Sequence, residues 1–64
     1  SKKGGGIMYW EVGLTVGAER GRVNVHPQAL EESGWENAVE HALDMAQALH
    51  PNKRIEFDYV KEYD

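Results

Sequence analysis

The chain has 64 residues, no cysteine, and eleven acidic against seven basic side chains, for a net charge of −4. That length allows one domain, which buries only about 60% of the surface its unfolded form exposes and has no disulfide to reinforce it. The acidic balance argues against nonspecific binding to nucleic acid or anionic membrane, which needs clustered Lys and Arg, and the lack of cysteine fits a reducing cytoplasm.

Ser1 to Gly6 reads as a flexible tail, because its glycines leave it too much entropy to order unaided. It does not read as a signal peptide, since Lys2 and Lys3 lead into glycine and not into an apolar stretch. No apolar run approaches the roughly 18–20 residues of a membrane span. With the tail set aside, the body over 7–64 carries five bases against eleven acids, a balance of −6.

From Met8 to Val16, Met8, Trp10, Val12, Leu14 and Val16 alternate with Tyr9, Glu11, Gly13 and Thr15, the period-two pattern of a half-buried strand. Gly17 to Gly21 is expected to be a five-residue hairpin loop. Arg22 to His26 alternates again with Val23 and Val25 inward, and Pro27 ends that second strand because it cannot donate to a ladder. Pro27 to Glu32 is long enough for a single helical turn.

Ser33 and Glu36 have the spacing of a capping box, in which the serine serves as N-cap and the glutamate returns a bond to its amide. A helical stripe continues through Trp35, Ala38, Val39, Ala42, Leu43, Ala46 and Leu49. It stops at His50-Pro51, because the residue before proline is pushed out of the helical region. In the third strand Ile55, Phe57 and Tyr59 are expected inward and Arg54, Glu56 and Asp58 outward, before a charged end at Lys61 to Asp64.

These elements predict an α+β domain over 7–64, ordered ββαβ, with a three-stranded antiparallel sheet and the helix packed on one face. A right-handed crossover that skips one position puts the apolar first strand in the middle, giving the order 2-1-3. The second sheet face, with Tyr9, Glu11, Thr15, Arg22, Asn24, Glu56 and Asp58, is left to water or to a partner.

No catalytic or cofactor motif is present: there is no G-x-S-x-G elbow, Walker loop or dinucleotide fingerprint. Ser33 is explained by capping. His26, His41 and His50 have no metal-ligand spacing, and Glu40 and His41 are adjacent, so they point about 100° apart on a helix. No enzyme activity, cofactor or metal is expected. Trp10 and Trp35 fall on the core faces, whereas Tyr9 falls on the open sheet face, where an aromatic side chain can anchor a partner.

Charge placement is the unusual feature. Between Val23 and Asn52 there are five acids, Glu31, Glu32, Glu36, Glu40 and Asp44, and no Lys or Arg. Glu36, Glu40 and Asp44 lie four apart on one helix face, a spacing that costs a few tenths of a kcal/mol per like-charged pair. An acidic ridge of this kind either serves solubility or steers the protein onto a basic surface. The residues expected to touch a partner are Glu32, Glu36, Glu40 and Asp44 on the helix side, with Tyr9, Glu56 and Asp58 on the sheet side.

In size, acidity and sheet-plus-helix organisation, the chain from Met8 to Asp64 resembles the small phage-encoded inhibitors of bacterial defence known as anti-CRISPR proteins. The resemblance implies a cytoplasmic inhibitor, monomeric and binding no nucleic acid itself, that occupies the basic DNA-binding surface of a CRISPR effector. The hairpin together with Ser33-Gly34-Trp35-Glu36-Asn37-Ala38 is also similar to the N-terminal domain of HicB-type antitoxins. That likeness implies occlusion of a basic RNase toxin, although the chain lacks a DNA-binding extension. A self-associating structural domain is the third alternative.

Overall fold

The computed structural model describes residues 7–64, so the expected tail at Ser1–Gly6 lies outside the described residues. Strand β1 (Tyr9–Val16) and strand β2 (Glu19–Val25) form a hairpin, helix α1 (Trp35–Leu49) comes next, and strand β3 (Ile55–Tyr63) completes the sheet. The order is β2-β1-β3 with both pairings antiparallel, as the sequence suggests. Three strands with a helix on one face approach the minimum that makes a small sheet independently stable.

The central strand has the most apolar inner face, and it supplies the core. Trp10, Val12 and Leu14 of β1 and Val25 of β2 pack with Ala38, Ala42 and Ala46 of α1, all of them buried. Alanines four apart let the helix axis approach the sheet closely, and the large β1 side chains fill the space they leave. Val39, Leu43, Ile55 and Val60 close the margins. Trp35, expected in the core, is half exposed at 50%, and Leu49 at the far end is 73% exposed. Met8 precedes β1 and is exposed, so it too stands outside the inward set.

The hairpin is tighter than its sequence suggests. Val16 pairs with Glu19, so the turn is Gly17-Ala18 and not the five residues Gly17 to Gly21. Gly17 has φ 65 and no residue type other than glycine among those described has positive φ, the sign pattern of a type II′ turn, whose twist matches that of the flanking strands. Strand β2 therefore begins three residues before Arg22, which places Arg20 opposite Thr15 and Arg22 opposite Gly13.

Strand β3 departs from simple alternation. Phe57 pairs with Leu14 but Tyr59 pairs with Gly13, leaving Asp58 as the extra residue of a β-bulge. The bulge reverses the phase of the rest of the strand, because side chains alternate with period two and one inserted residue moves its successors to the other face. Tyr59, expected inward, therefore lies on the open face and Val60 takes the inward place opposite Val12. The Tyr59 ring covers Gly13 so closely that a Cβ added there would overlap it.

The short segment after β2 does form one turn, a 3-10 helix at Pro27–Ala29. The capping box does not form. Gly34 is the N-cap, with φ 150, a conformation that favours glycine, and the first helical bond runs from Ala38 N–H to Gly34 O at 3.1 Å. With the cap moved one residue, Glu36 falls at the second helical position and cannot return the box's reciprocal bond. Asn37 Nδ2 instead donates to Glu32 O at 3.0 Å, tying the incoming loop to the first turn. At the other end His50 N–H reaches Ala46 O at 2.9 Å, and Pro51 stops the helix. Among the described residues no helix is long and apolar enough to cross a membrane.

Candidate functional site

The expected partner-binding residues separate into two groups on opposite sides of the molecule. Glu36, Glu40 and Asp44 precede the buried Ala38, Ala42 and Ala46 by two positions each, about 200° around the helix, and so face solvent. The loop before α1 brings Glu31 and Glu32 alongside. A shallow groove of about 420 Å³ forms there, walled by Leu30, Glu31, Glu32, Glu40, His41 and Asp44. Glu36 stands on the same ridge, outside the groove. These five carboxylates are exposed, and among the described residues none makes an ion pair or a side-chain hydrogen bond.

The open sheet face has a different chemistry. Tyr59 Oη donates to Glu11 Oε2 and Tyr63 Oη to Glu11 Oε1, the latter at 3.1 Å. The Tyr59 hydrogen bond, helped by that from Tyr63 and by the nearby Arg22 and Lys61 charges, holds the Glu11 carboxyl below the usual carboxylate range. The same bond to Glu11, reinforced by desolvation and the carboxylate charge, pushes the Tyr59 phenol up. Asp58 accepts from Thr15 Oγ1 at 2.8 Å, and Glu56 pairs with Arg54 Nε at 2.9 Å. Glu56 and Asp58 therefore lie where expected but are already bonded within the chain.

Tyr9 is likewise not a free anchor. Its ring stacks on Tyr63 with centroids 4.8 Å apart and lies 5.6 Å from His26, while Lys61 Nζ sits 5.2 Å from the Tyr63 ring. These side chains form a continuous aromatic row across one end of the sheet, in which Tyr9 is half-buried. Sequence reasoning alone misses Tyr59, Tyr63, Arg20 and Lys61 on this face. The one signal for the three β3 residues is Val60, an apolar residue directly after Tyr59 that breaks the alternation, whereas Arg20 follows from the two-residue turn.

Ser33 is exposed and makes no capping bond, and among the described residues no group of three or more His, Cys, Asp or Glu is placed to hold a metal ion. What the helix side offers is a field: five negative charges that, among the described residues, have no ion-pair partner, next to a shallow concave strip. Comparison with protein-family models, with curated proteins and with solved structures found no match to the chain.

Proposed function

We propose that the protein is a non-catalytic binding module whose helix-side carboxylates dock onto a basic surface of a nucleic-acid-handling protein and compete there with nucleic acid. The observation that carries this reading is the contrast between the two faces. Carboxylates on the sheet side are bonded to phenols, a hydroxyl and a guanidinium, whereas Glu31, Glu32, Glu36, Glu40 and Asp44 are exposed and, among the described residues, their side chains have no partners. Carboxylates that repel one another within a helix destabilise it, and a basic partner removes that repulsion on binding.

The partner we favour is a CRISPR effector complex, whose DNA-binding channel is lined with basic residues because it must hold phosphates. A rigid row of carboxylates imitates the charge of such a backbone without its flexibility. Displacement of a labelled DNA duplex from an effector complex tests this. The intact protein is expected to displace the duplex, and the Glu36→Lys, Glu40→Lys, Asp44→Lys variant to lose at least tenfold in potency while keeping its circular dichroism. Equal potency of that variant contradicts the proposal; displacement of RNA from a basic RNase instead redirects it to the antitoxin class.

A further inference from the structure

Tyr59 lies flat on the open sheet face. A Cβ added at Gly13 would stand nearest to Tyr59 Cε2 and next nearest, at closely similar distances, to its ring neighbours Cδ2 and Cζ. Those distances place the Cβ over the face of the ring and not beyond its edge. The phenol also donates to Glu11, so the ring is held at both ends. Gly13 is buried beneath it, whereas Tyr59 is 42% exposed, and the outer face of the ring is therefore turned to solvent. Glycine at position 13 is what allows so close an approach to the backbone.

Two guanidiniums stand beside that ring. Arg22 is the partner of Gly13 on β2 and Arg20 that of Thr15, so both project from the open face, about 6.4–6.8 Å apart along the strand. With Gly21 and Tyr59 they line a shallow groove of about 240 Å³. Both are exposed, and among the described residues neither makes an ion pair or a side-chain hydrogen bond. The acids of this face are already engaged: Glu11 accepts from Tyr59 and Tyr63, Asp58 accepts from Thr15, and Glu56 pairs with Arg54. The five helix-side carboxylates, whose repulsion would oppose an anion, lie on the opposite side of the molecule.

We propose that the open sheet face binds single-stranded nucleic acid, with a base stacked on Tyr59 and the adjoining phosphates on Arg20 and Arg22. An open aromatic face next to guanidiniums suits a ligand that joins a flat ring to an anion, as a nucleotide does. An acidic or phosphorylated peptide would use the arginines and leave the ring idle. The strand must be single, because neighbouring pairs cover both faces of a base in a duplex. A polymer fits better than a lone nucleotide, since the aromatic surface continues. Four residues along β3, about 13 Å away, Tyr63 stacks on Tyr9. Between the two aromatic groups Lys61 adds a third cation without an ion pair among the described residues. Stacking of this kind tolerates any sequence, because every base has a π-face. The site is separate from the acidic groove and does not rest on the function proposed for it.

The probe is a fluorescein-labelled oligothymidylate of about 12 nucleotides, followed by anisotropy. Saturable binding is expected with a dissociation constant of about 10–100 μM at about 50 mM salt. Three phosphate contacts on a single strand weaken it about 20-fold at about 200 mM salt. A duplex and an abasic strand of the same length are each expected to bind at least about fivefold more weakly, because neither offers a base face. The double variant Arg20→Gln, Arg22→Gln, at two exposed positions, is expected to lose about tenfold in affinity. The chain contains three tyrosines, so ring-labelled tyrosine reports on Tyr59 directly, and Tyr59→Phe identifies its signals. Those signals are expected to move upfield as a base stacks on the ring. The proposal is overturned by no saturation up to about 1 mM protein, by equal binding of the abasic strand, by unmoved Tyr59 signals or by an arginine variant that binds as well as the intact protein. It is also overturned by concentration-dependent association that moves the Tyr59 signals without nucleic acid, because the acidic helix side of a second copy would then be the occupant.

Discussion

Glu11 keeps its charge on the sheet face because two phenols donate to it, and this arrangement makes one part of the stability depend on pH. The folded carboxyl stays ionised below its ordinary value of 4.5, while in the unfolded chain it protonates near that value. The stabilisation is therefore complete above about pH 4.5 and fades as acid carries Glu11 through its lower folded pKa. Tyr59 has the opposite sign. Its pKa is raised above 10.0, so its contribution is present below that pH and is lost as base ionises the folded phenol. Tyr59→Phe removes the hydroxyl and keeps the ring over Gly13. Urea midpoints of the two proteins are expected to differ most near about pH 7 and to converge as acid carries Glu11 through its lowered folded pKa. A difference that does not change with pH would mean that the ring and not the hydrogen bond matters.

Elements rich in their own signals were legible from the sequence: the period-two run of β1, the helical stripe, and the proline stops at Pro27 and Pro51. The order β2-β1-β3 was legible too, because β1 alone is apolar enough to be central. The features that were not legible depend on backbone conformation chosen by tertiary fit. A bulge at Asp58 leaves a single trace in the sequence, the apolar Val60 directly after Tyr59, yet it decides the face of Tyr59, Lys61, Glu62 and Tyr63. The capping-box spacing at Ser33 and Glu36 was misleading because Gly34 accepts a φ that moves the helix start by one residue. Of the candidate site, the helix acids were readable from their spacing. The bond that ties up Asp58 depends on strand register, which the sequence does not specify, whereas the Glu56 pair with Arg54 is local.

Two adjacent substitutions separate a glycine cap from a serine cap. Ser33→Ala is expected to change stability by less than about 0.5 kcal/mol, where loss of a true serine cap costs about 0.5–2 kcal/mol. Gly34→Ala forces a side chain into a left-handed conformation and is expected to cost about 1–3 kcal/mol. Equilibrium urea unfolding of both variants measures the contrast, and a reversed order would restore the capping box.

At the scale of the whole molecule the core is small, and each large side chain in it counts. A chain of this length has a total stability of roughly 3–10 kcal/mol, from about 0.05–0.15 kcal/mol per residue. Leu14, 3% exposed between the sheet and the alanine stripe, is expected to cost about 2–5 kcal/mol when replaced by alanine. Leu14→Ala should therefore be largely unfolded at about 37 °C, as thermal circular dichroism would record; a small loss of melting temperature would mean that the helix collapses onto the cavity. The same two layers that bury this core also separate the charges. Among the described residues, one side carries acids without ion-pair partners, and the other carries acids already bonded within the chain.

That separation is the central claim, and a comparison of the two faces tests it most directly. The intact protein, the helix-side variant Glu32→Lys, Glu40→Lys, Asp44→Lys and the sheet-side variant Glu56→Lys, Asp58→Lys would each serve as bait. The lysate would contain CRISPR effectors and RNase toxins, at about 50 and 500 mM salt. The intact protein and the sheet-side variant are expected to capture the same basic nucleic-acid-binding protein at low salt and lose it at high salt. The helix-side variant is expected to capture none of it at either salt. Retention of the partner by the helix-side variant, with loss by the sheet-side one, would contradict it and move the working surface to the tyrosine-lined face.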